Sequence, residues 1–258
     1  EEQNIRGPKG ELIRIETFCH GALCMAVSGK CYLSLDNFNT SANRGACVQP
    51  CRRGYTVQDR DQEITLAIEN EYIMSPKDLC TLPFLDKLLD AGVKVLKIEG
   101  RGRSPEYTKV TVGVYSEAVE AIRNGEFTEE KVAQWTERLR SVYNRDFWDG
   151  YYLGRKMGEW TQRYGSQATK TKIFVGTVTN FFGKINVAEI KMETQDLKVG
   201  DDIMIIGPTT GVYEDKISEI RVDLKPVDST EKGELCSIPT KDVIRRGDKV
   251  YKVVDAEI

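Results

Sequence analysis

Apolar and polar positions alternate along residues 11–18 (ELIRIETF), which predicts a strand leading into a Cys-rich stretch. From Gly21 to Tyr55 the chain is small and polar, with Ser41-Ala42-Asn43-Arg44-Gly45 as a turn. A loop that long in a compact domain implies a function or an anchor. Residues 64–68 and 71–74 read as short strands. Ser75 and Pro76 then suit the N-cap and first position of a helix, and Leu79, Leu82, Leu85, Leu88 and Leu89 follow at helical spacing up to Ala91-Gly92. Residues 93–98 (VKVLKI) read as a buried strand, and residues 107–123 and 128–143 as two helices. A helix, a short turn, a strand and then Glu99-Gly100-Arg101 at its C-terminal end is the order found in a β/α barrel.

After Gly165 the pattern changes. Residues 166–172 form a polar linker, and strands are expected at 173–179, 183–190, 202–206, 211–217, 234–238 and 249–253. Turn residues such as Asn180, Gly200-Asp201 and Gly207-Pro208 separate them. The stretch Leu197-Lys198-Val199-Gly200-Asp201-Asp202-Ile203 resembles the second-domain barrel of translation elongation factors. The expected fold is α/β: the C-terminal part of a β/α (TIM-like) barrel with a Cys-rich loop and helices, then a small closed β-barrel. The expected divisions are 1–108, a helical segment 109–165, and 170–258.

Composition narrows the classes. With 258 residues and a 40% hydrophobic fraction the chain can fill a core. No apolar run reaches the roughly 18 residues of a membrane span, and the N-terminal residues lack a signal-peptide pattern. A net charge of −3 gives no global basic character for nucleic-acid binding, although a local basic surface remains open. There is one histidine, His20, so no site can use several imidazoles.

Seven cysteines, five of them between Cys19 and Cys51, are an odd number bunched in one region, which argues against a disulfide framework and for metal or redox chemistry. Cys24, Cys31, Cys47 and Cys51 follow the spacing C-x6-C-x15-C-x3-C. Soft thiolates suit either zinc or an iron–sulfur cluster, and the spacing does not separate them. Packed free thiols are the plainer reading, and they are the expectation for Cys19, for Cys80 on the apolar helix and for Cys236 in a barrel strand.

The runs Glu16-Thr17-Phe18-Cys19-His20-Gly21-Ala22-Leu23-Cys24, Ser28-Gly29-Lys30-Cys31-Tyr32-Leu33-Ser34, Ala42-Asn43-Arg44-Gly45-Ala46-Cys47 and Gln49-Pro50-Cys51-Arg52 resemble the signature of the collagenase-like peptidase family of unassigned catalytic type, peptidase family U32. So do Lys97-Ile98-Glu99-Gly100-Arg101 and Arg103-Ser104-Pro105-Glu106-Tyr107. The resemblance implies a [4Fe–4S] cluster on Cys24, Cys31, Cys47 and Cys51, with zinc as the alternative occupant. It also implies oxygen-independent hydroxylation. One branch of the family modifies transfer RNA at the wobble uridine in a prephenate-linked reaction, another modifies 23S ribosomal RNA, and a third serves ubiquinone synthesis. Family members carry a substantial β/α segment before the signature, and here about a dozen residues precede it. This chain, which opens on Glu1, is therefore expected to be either a paralogue that starts late or a C-terminal fragment, and in a fragment the unpaired strand edges of half a barrel favour dimerisation or rearrangement.

The expected catalytic residues are Glu16 and His20, placed to transfer protons, with Glu99 and Arg101 at a strand's end. Arg44, Arg52, Arg53 and Arg103 are expected to bind substrate, either RNA phosphates or a small dicarboxylate. Solvated charge and a structural Glu99–Arg pair are the alternatives. Trp135, Phe147, Trp148, Tyr151 and Tyr152 read as packing rather than base-stacking residues. The leading expectation is a cytoplasmic iron–sulfur enzyme acting on transfer RNA. The alternatives are a peptidase, for which no nucleophile motif is visible, and a non-catalytic, metal-stabilised binding module.

Overall fold

The computed structural model describes residues 5–58, 65–66, 74–154 and 159–256. The chain divides into two compact units, residues 1–103 with 110–168, and residues 104–109 with 169–258. The expected strands at 64–68 and 71–74 lie almost wholly outside the described residues.

In the first unit, the strands are β1 (Ile15–Gly21), β2 (Val57–Gln58), β3 (Thr65–Leu66), β4 (Asp78–Cys80), β5 (Val93–Ile98) and β6 (Phe147–Trp148). The helices are α1 (Tyr32–Phe38), α2 (Leu85–Asp90), α3 (Pro105–Arg123) and α4 (Glu129–Arg140). A four-stranded sheet has the order β5–β1–β4–β6, while β2 and β3 pair separately. β5 runs parallel to β1 and β6 parallel to β4, but β4 runs antiparallel to β1, with His20 opposite Cys80. The expected barrel portion is therefore an open mixed sheet among the described residues, not the all-parallel ladder of a β/α barrel.

The helix expected from Ser75 is also corrected. Residues 78–80 are a strand buried at every position, Leu82–Phe84 is a 3-10 turn, and α2 starts only at Leu85. Pro83 has no N–H to donate and its ring would clash with the carbonyl four residues earlier, so an α-helix running through it from Ser75 would be kinked or broken. Pairing on both edges claims residues 78–80 for the sheet, and Cys80 is a core residue of a strand. α3 and α4 behave as their periodicity predicts. Val114, Tyr115, Ala118 and Ala121 of α3 pack with Trp135 and Leu139 of α4 over Cys19, Cys80, Leu82 and Leu85. Thr128 caps α4, its hydroxyl accepting from the Lys131 N–H at 3.3 Å, and Arg138 and Arg140 lie in the last turn where the helix dipole favours cations.

The second unit holds β7 (Lys170–Phe182), β8 (Val187–Met192), β9 (Asp202–Gly207), β10 (Gly211–Lys216), β11 (Ile220–Val222), β12 (Lys225–Val227), β13 (Leu235–Pro239) and β14 (Lys249–Asp255). All pairings are antiparallel in the order β10–β9–β14–β7–β8–β13–β11–β12. Alternate residues fill a core that includes Val175, Val178, Ile190, Met192, Ile205, Cys236, Ile238 and Val250. Among the described residues the ladder does not close: β10 and β12 are its two ends, and the short β12 carries Pro226, which lacks a ladder donor. The β11–β12 hairpin went unpredicted. Its turn places Asp223 and Leu224 at φ of +50° and +64°, a geometry usually signalled by Asn-Gly or Asp-Gly rather than Asp-Leu. Gly176 is required where β7 crosses β8, because a Cβ there would lie 2.1 Å from the Lys191 carbonyl oxygen.

Candidate metal centre

The Cys-rich stretch is not a bare loop. It contains α1 and two 3-10 turns, Ala42–Arg44 and Pro50–Arg52. Gly45 ends the first of them at φ +84°, with its N–H returning to the Ala42 carbonyl at 3.1 Å. These turns bring the four spaced cysteines into one region. Cys31 is the N-cap residue of α1, and hydrogen bonds from Ser34, with a smaller contribution from Cys47, hold its thiol below the usual range. The buried Ser34 hydroxyl also lies 3.7 Å from the Cys47 sulfur. Burial pushes the half-buried Cys51 thiol up and Arg52 pulls it down. The neighbouring Cys24, Cys47 and Cys31 thiols push it further up, so all four lie within one electrostatic field.

All seven cysteines are free. Cys19, Cys80 and Cys236 are buried, and burial raises their thiols to about 12, 11 and 12, as suits protonated core groups. Cys24 and Cys47 are exposed, and Cys31 and Cys51 partly so. A single tetrahedral zinc would draw its sulfurs to about 3.8 Å from one another, given Zn–S of about 2.3 Å. Among the described residues no group of three or more His, Cys, Asp or Glu side chains is placed to hold a metal ion. The donor set, four thiols of which Cys24, Cys31 and Cys47 act on the thiol of Cys51, suits zinc or an iron–sulfur cluster alike.

Behind the cysteines lies a buried ionic group. Arg52 is buried, its Nη1 donating to Ser75 Oγ at 3.0 Å and Pro76 O at 2.5 Å, and its Nη2 donating to Leu23 O at 2.7 Å. It therefore ties the segment before Cys24 to the chain entering β4. Asp78, only 1% exposed, accepts from the Arg145 backbone N–H at 3.2 Å and from Arg103 at 3.5 Å, while Arg145 Nη1 lies 3.5 Å from its other oxygen. Burial pushes the Asp78 carboxyl up, against the pull of Arg145, Arg103 and Arg52. Arg103 stacks over the Tyr143 ring at 3.9 Å, and Arg145 over it at 5.1 Å. Three guanidiniums thus surround one carboxylate, beside a cavity of about 350 Å3 whose walls include Cys47, Arg52, Arg53, Tyr143, Arg145 and Arg163.

Arg53 is exposed above the Phe38 ring and lines this cavity; Arg44 is exposed on its turn and does not. Arg101 is exposed, and its backbone N–H donates to Glu99 Oε1 at 2.8 Å. Glu16 pairs with Lys97 at the surface, at 2.7 Å. His20 is 2% exposed, in ring contact with Tyr115 and Phe147, and burial with Arg103 nearby lowers it to about 3. Glu16 and His20 therefore do not share a proton site. Four residues apart on a helix they would be neighbours, but along a strand that separation is about 13 Å. Sequence reasoning missed Asp78, Tyr143, Arg145 and Arg163. Nothing periodic marks them, and only a cluster of arginines flanking β6 was there to be noticed.

Residues 3–162 match the family model described as Peptidase family U32. The chain is 57% identical over 249 residues to a protein named collagenase from Porphyromonas gingivalis, covering 96% of this chain and 60% of that one. It is 34% identical over 201 residues to tRNA hydroxylation protein P1 of Bacillus subtilis, covering 76% and 47%. It is also 44% identical over 108 residues to a 23S rRNA 5-hydroxycytidine synthase of Escherichia coli, covering 42% and 16%. The chain thus spans about 60% of the collagenase and smaller shares of the two RNA-modifying relatives. Among the described residues no helix is long and apolar enough to cross a membrane. The matched family model and the 57% identity, each extending over more than half of the chain, establish that it belongs to peptidase family U32.

Proposed function

We propose that this chain is the cluster-bearing part of a cytoplasmic enzyme that hydroxylates RNA without oxygen, with transfer RNA as its substrate. The observation that carries this reading is that Cys24, Cys31 and Cys47 lie near enough to Cys51 to act on its thiol, with Cys47 in the wall of a cavity lined by arginines. These cysteines would hold a [4Fe–4S] cluster, which supplies one-electron chemistry when bound. Arg53 and Arg163 offer exposed cations for RNA phosphates or for the carboxylates of a small co-substrate such as prephenate. Arg52, Asp78, Arg103 and Arg145 hold the cavity wall in shape. The names of the Bacillus subtilis and Escherichia coli relatives, a tRNA hydroxylation protein and a 23S rRNA 5-hydroxycytidine synthase, support an RNA substrate.

Proteolysis is the second reading, favoured by the 57% identity to a protein named collagenase. The residues of this chain support it poorly. The single histidine is buried and neutral, so it cannot serve as the exposed base of a Ser or Cys nucleophile. Purification without oxygen, followed by iron and sulfide analysis and incubation with unmodified transfer RNA, tests the proposal. The expected result is cluster-stoichiometric iron and nucleosides heavier by one oxygen. Metal-independent release of peptides from gelatin, with no bound iron, would decide for the second reading.

A further inference from the structure

Leu23 and Arg52 lie 29 residues apart in sequence, and between them stand all four of the spaced cysteines. Cys24 follows Leu23 directly, and Cys51 directly precedes Arg52. One hydrogen bond, from Arg52 Nη2 to Leu23 O at 2.7 Å, closes the neck of this long segment. Among the described residues, residues 22–26 make no other hydrogen bond, so this is the polar contact that fixes the chain at Cys24.

The Cys51 end is held differently. Cys51 is the middle residue of the 3-10 turn Pro50–Arg52, in which Pro50 and Arg52 are buried. The Pro50 carbonyl accepts from the Arg53 N–H at 3.1 Å and from the Tyr55 hydroxyl at 2.6 Å. With its other terminal nitrogen, Nη1, Arg52 donates to Ser75 Oγ at 3.0 Å and to Pro76 O at 2.5 Å. That anchor is itself rigid. Ser75 O accepts from the Thr161 N–H at 2.8 Å, Pro76 is bridged to Trp160, and Asp78 already belongs to the sheet.

We propose that Arg52 is a positioning residue for metal capture. It pins Cys24 and Cys51 together at the neck before any metal is bound, so that Cys31 and Cys47 are the two thiols that have to close on it. This inference rests on the metal part of the reading above and on neither RNA nor hydroxylation. Bringing the ends of a flexible segment together costs conformational entropy that grows with its length. Here the fold of the first unit offsets that cost, because buried bonds close the neck. The set is otherwise only half assembled: Cys47 is exposed, and among the described residues no group of three or more His, Cys, Asp or Glu is placed to hold a metal ion. Lysine cannot take this place. Its ammonium is a single point, whereas the guanidinium sends one nitrogen to Leu23 and the other to Ser75 and Pro76.

The test uses the full chain, freed of metal and kept reduced without oxygen. Cobalt(II) is titrated in; its thiolate charge-transfer absorption grows with each Co–S bond, and competition with zinc gives the affinity. The intact chain is expected to show a four-thiolate signature. Arg52→Lys keeps the charge and is expected to bind about 10- to 100-fold more weakly, the usual cost of losing a group that orients a metal ligand. It is also expected to show fewer Co–S bonds at equal occupancy, with tryptophan fluorescence confirming that it is folded. A folded Arg52→Lys with unchanged affinity and spectrum would overturn the proposal and leave the metal reading standing. An intact chain with no thiolate band, and no iron after purification without oxygen, would overturn both. Should the variant not fold, the metal-free intact chain decides, treated with a short bifunctional thiol reagent. In an unpinned segment Cys24 links first to Cys31, the nearest of the other three in sequence, whereas a pinned neck makes Cys51 its main partner. Cys31 as the main partner of Cys24 in the native chain would overturn the proposal.

Discussion

Asp78→Asn probes the group that shapes the candidate site. The side chain keeps its size but loses its charge, so three guanidiniums, from Arg52, Arg103 and Arg145, then face an amide where a carboxylate stood. The carboxylate and the side chains of Arg103 and Arg145 are 1%, 9% and 10% exposed, so water screens little of the resulting repulsion. Because burial already pushes the carboxyl up against the arginines, the intact group contributes little net stability. The cost of the variant comes from the cations left behind, and breaking a buried pair in this way costs about 3–5 kcal/mol. In a unit of this size that lowers Tm by roughly 10 °C. All three tryptophans, Trp135, Trp148 and Trp160, belong to the first unit, so their fluorescence follows its unfolding selectively. Removing one of the cations as well, in Asp78→Asn/Arg145→Met, is expected to restore part of the loss. A loss below about 1 kcal/mol, the ordinary size of a point-mutation effect, or a double variant less stable than the single, would refute the reasoning.

His20 gives a pH prediction. Its folded value of about 3 lies below the ordinary 6.5, so between these values the unfolded chain holds a proton that the folded chain does not. Stability of the first unit should therefore fall as pH drops through this window, by up to about 1.4 kcal/mol per pH unit. In urea titrations at several pH values His20→Gln should flatten that dependence, and an unchanged slope would count against a neutral buried imidazole. Serine in place of Cys24, Cys31, Cys47 or Cys51 should abolish iron binding in protein purified without oxygen, because a hydroxyl replaces thiolate poorly. Cys80→Ala and Cys236→Ala should retain the iron, and iron surviving in any of the four serine variants would remove that residue from the ligand set. Arg53→Gln and Arg163→Gln should each flatten the salt dependence of transfer RNA affinity by about one unit of slope. Titrations with labelled RNA at several salt concentrations would show this, and two unchanged slopes would take the cavity rim out of the RNA surface.

The short-range pattern of the chain determined a good part of this molecule. Period-two alternation located six strands of the second unit, and helical spacing located α3 and α4, because each element buries one face whose residues recur at its own repeat. The cysteine spacing likewise named four thiols, of which Cys24, Cys47 and Cys31 push the thiol of Cys51 up. The tertiary structure decided what depends on partners distant in sequence. Pairing on both edges made residues 78–80 a strand where leucine spacing alone suggested a helix, and it carried His20 into the core. Arg145 reaches Asp78 across 67 residues of chain, and Arg103 reaches it across 25. No repeat in the sequence encodes such a meeting, because it follows from which strands pair and what they bury. The cysteines were legible as a motif, whereas the charged wall behind them exists only once the chain has folded.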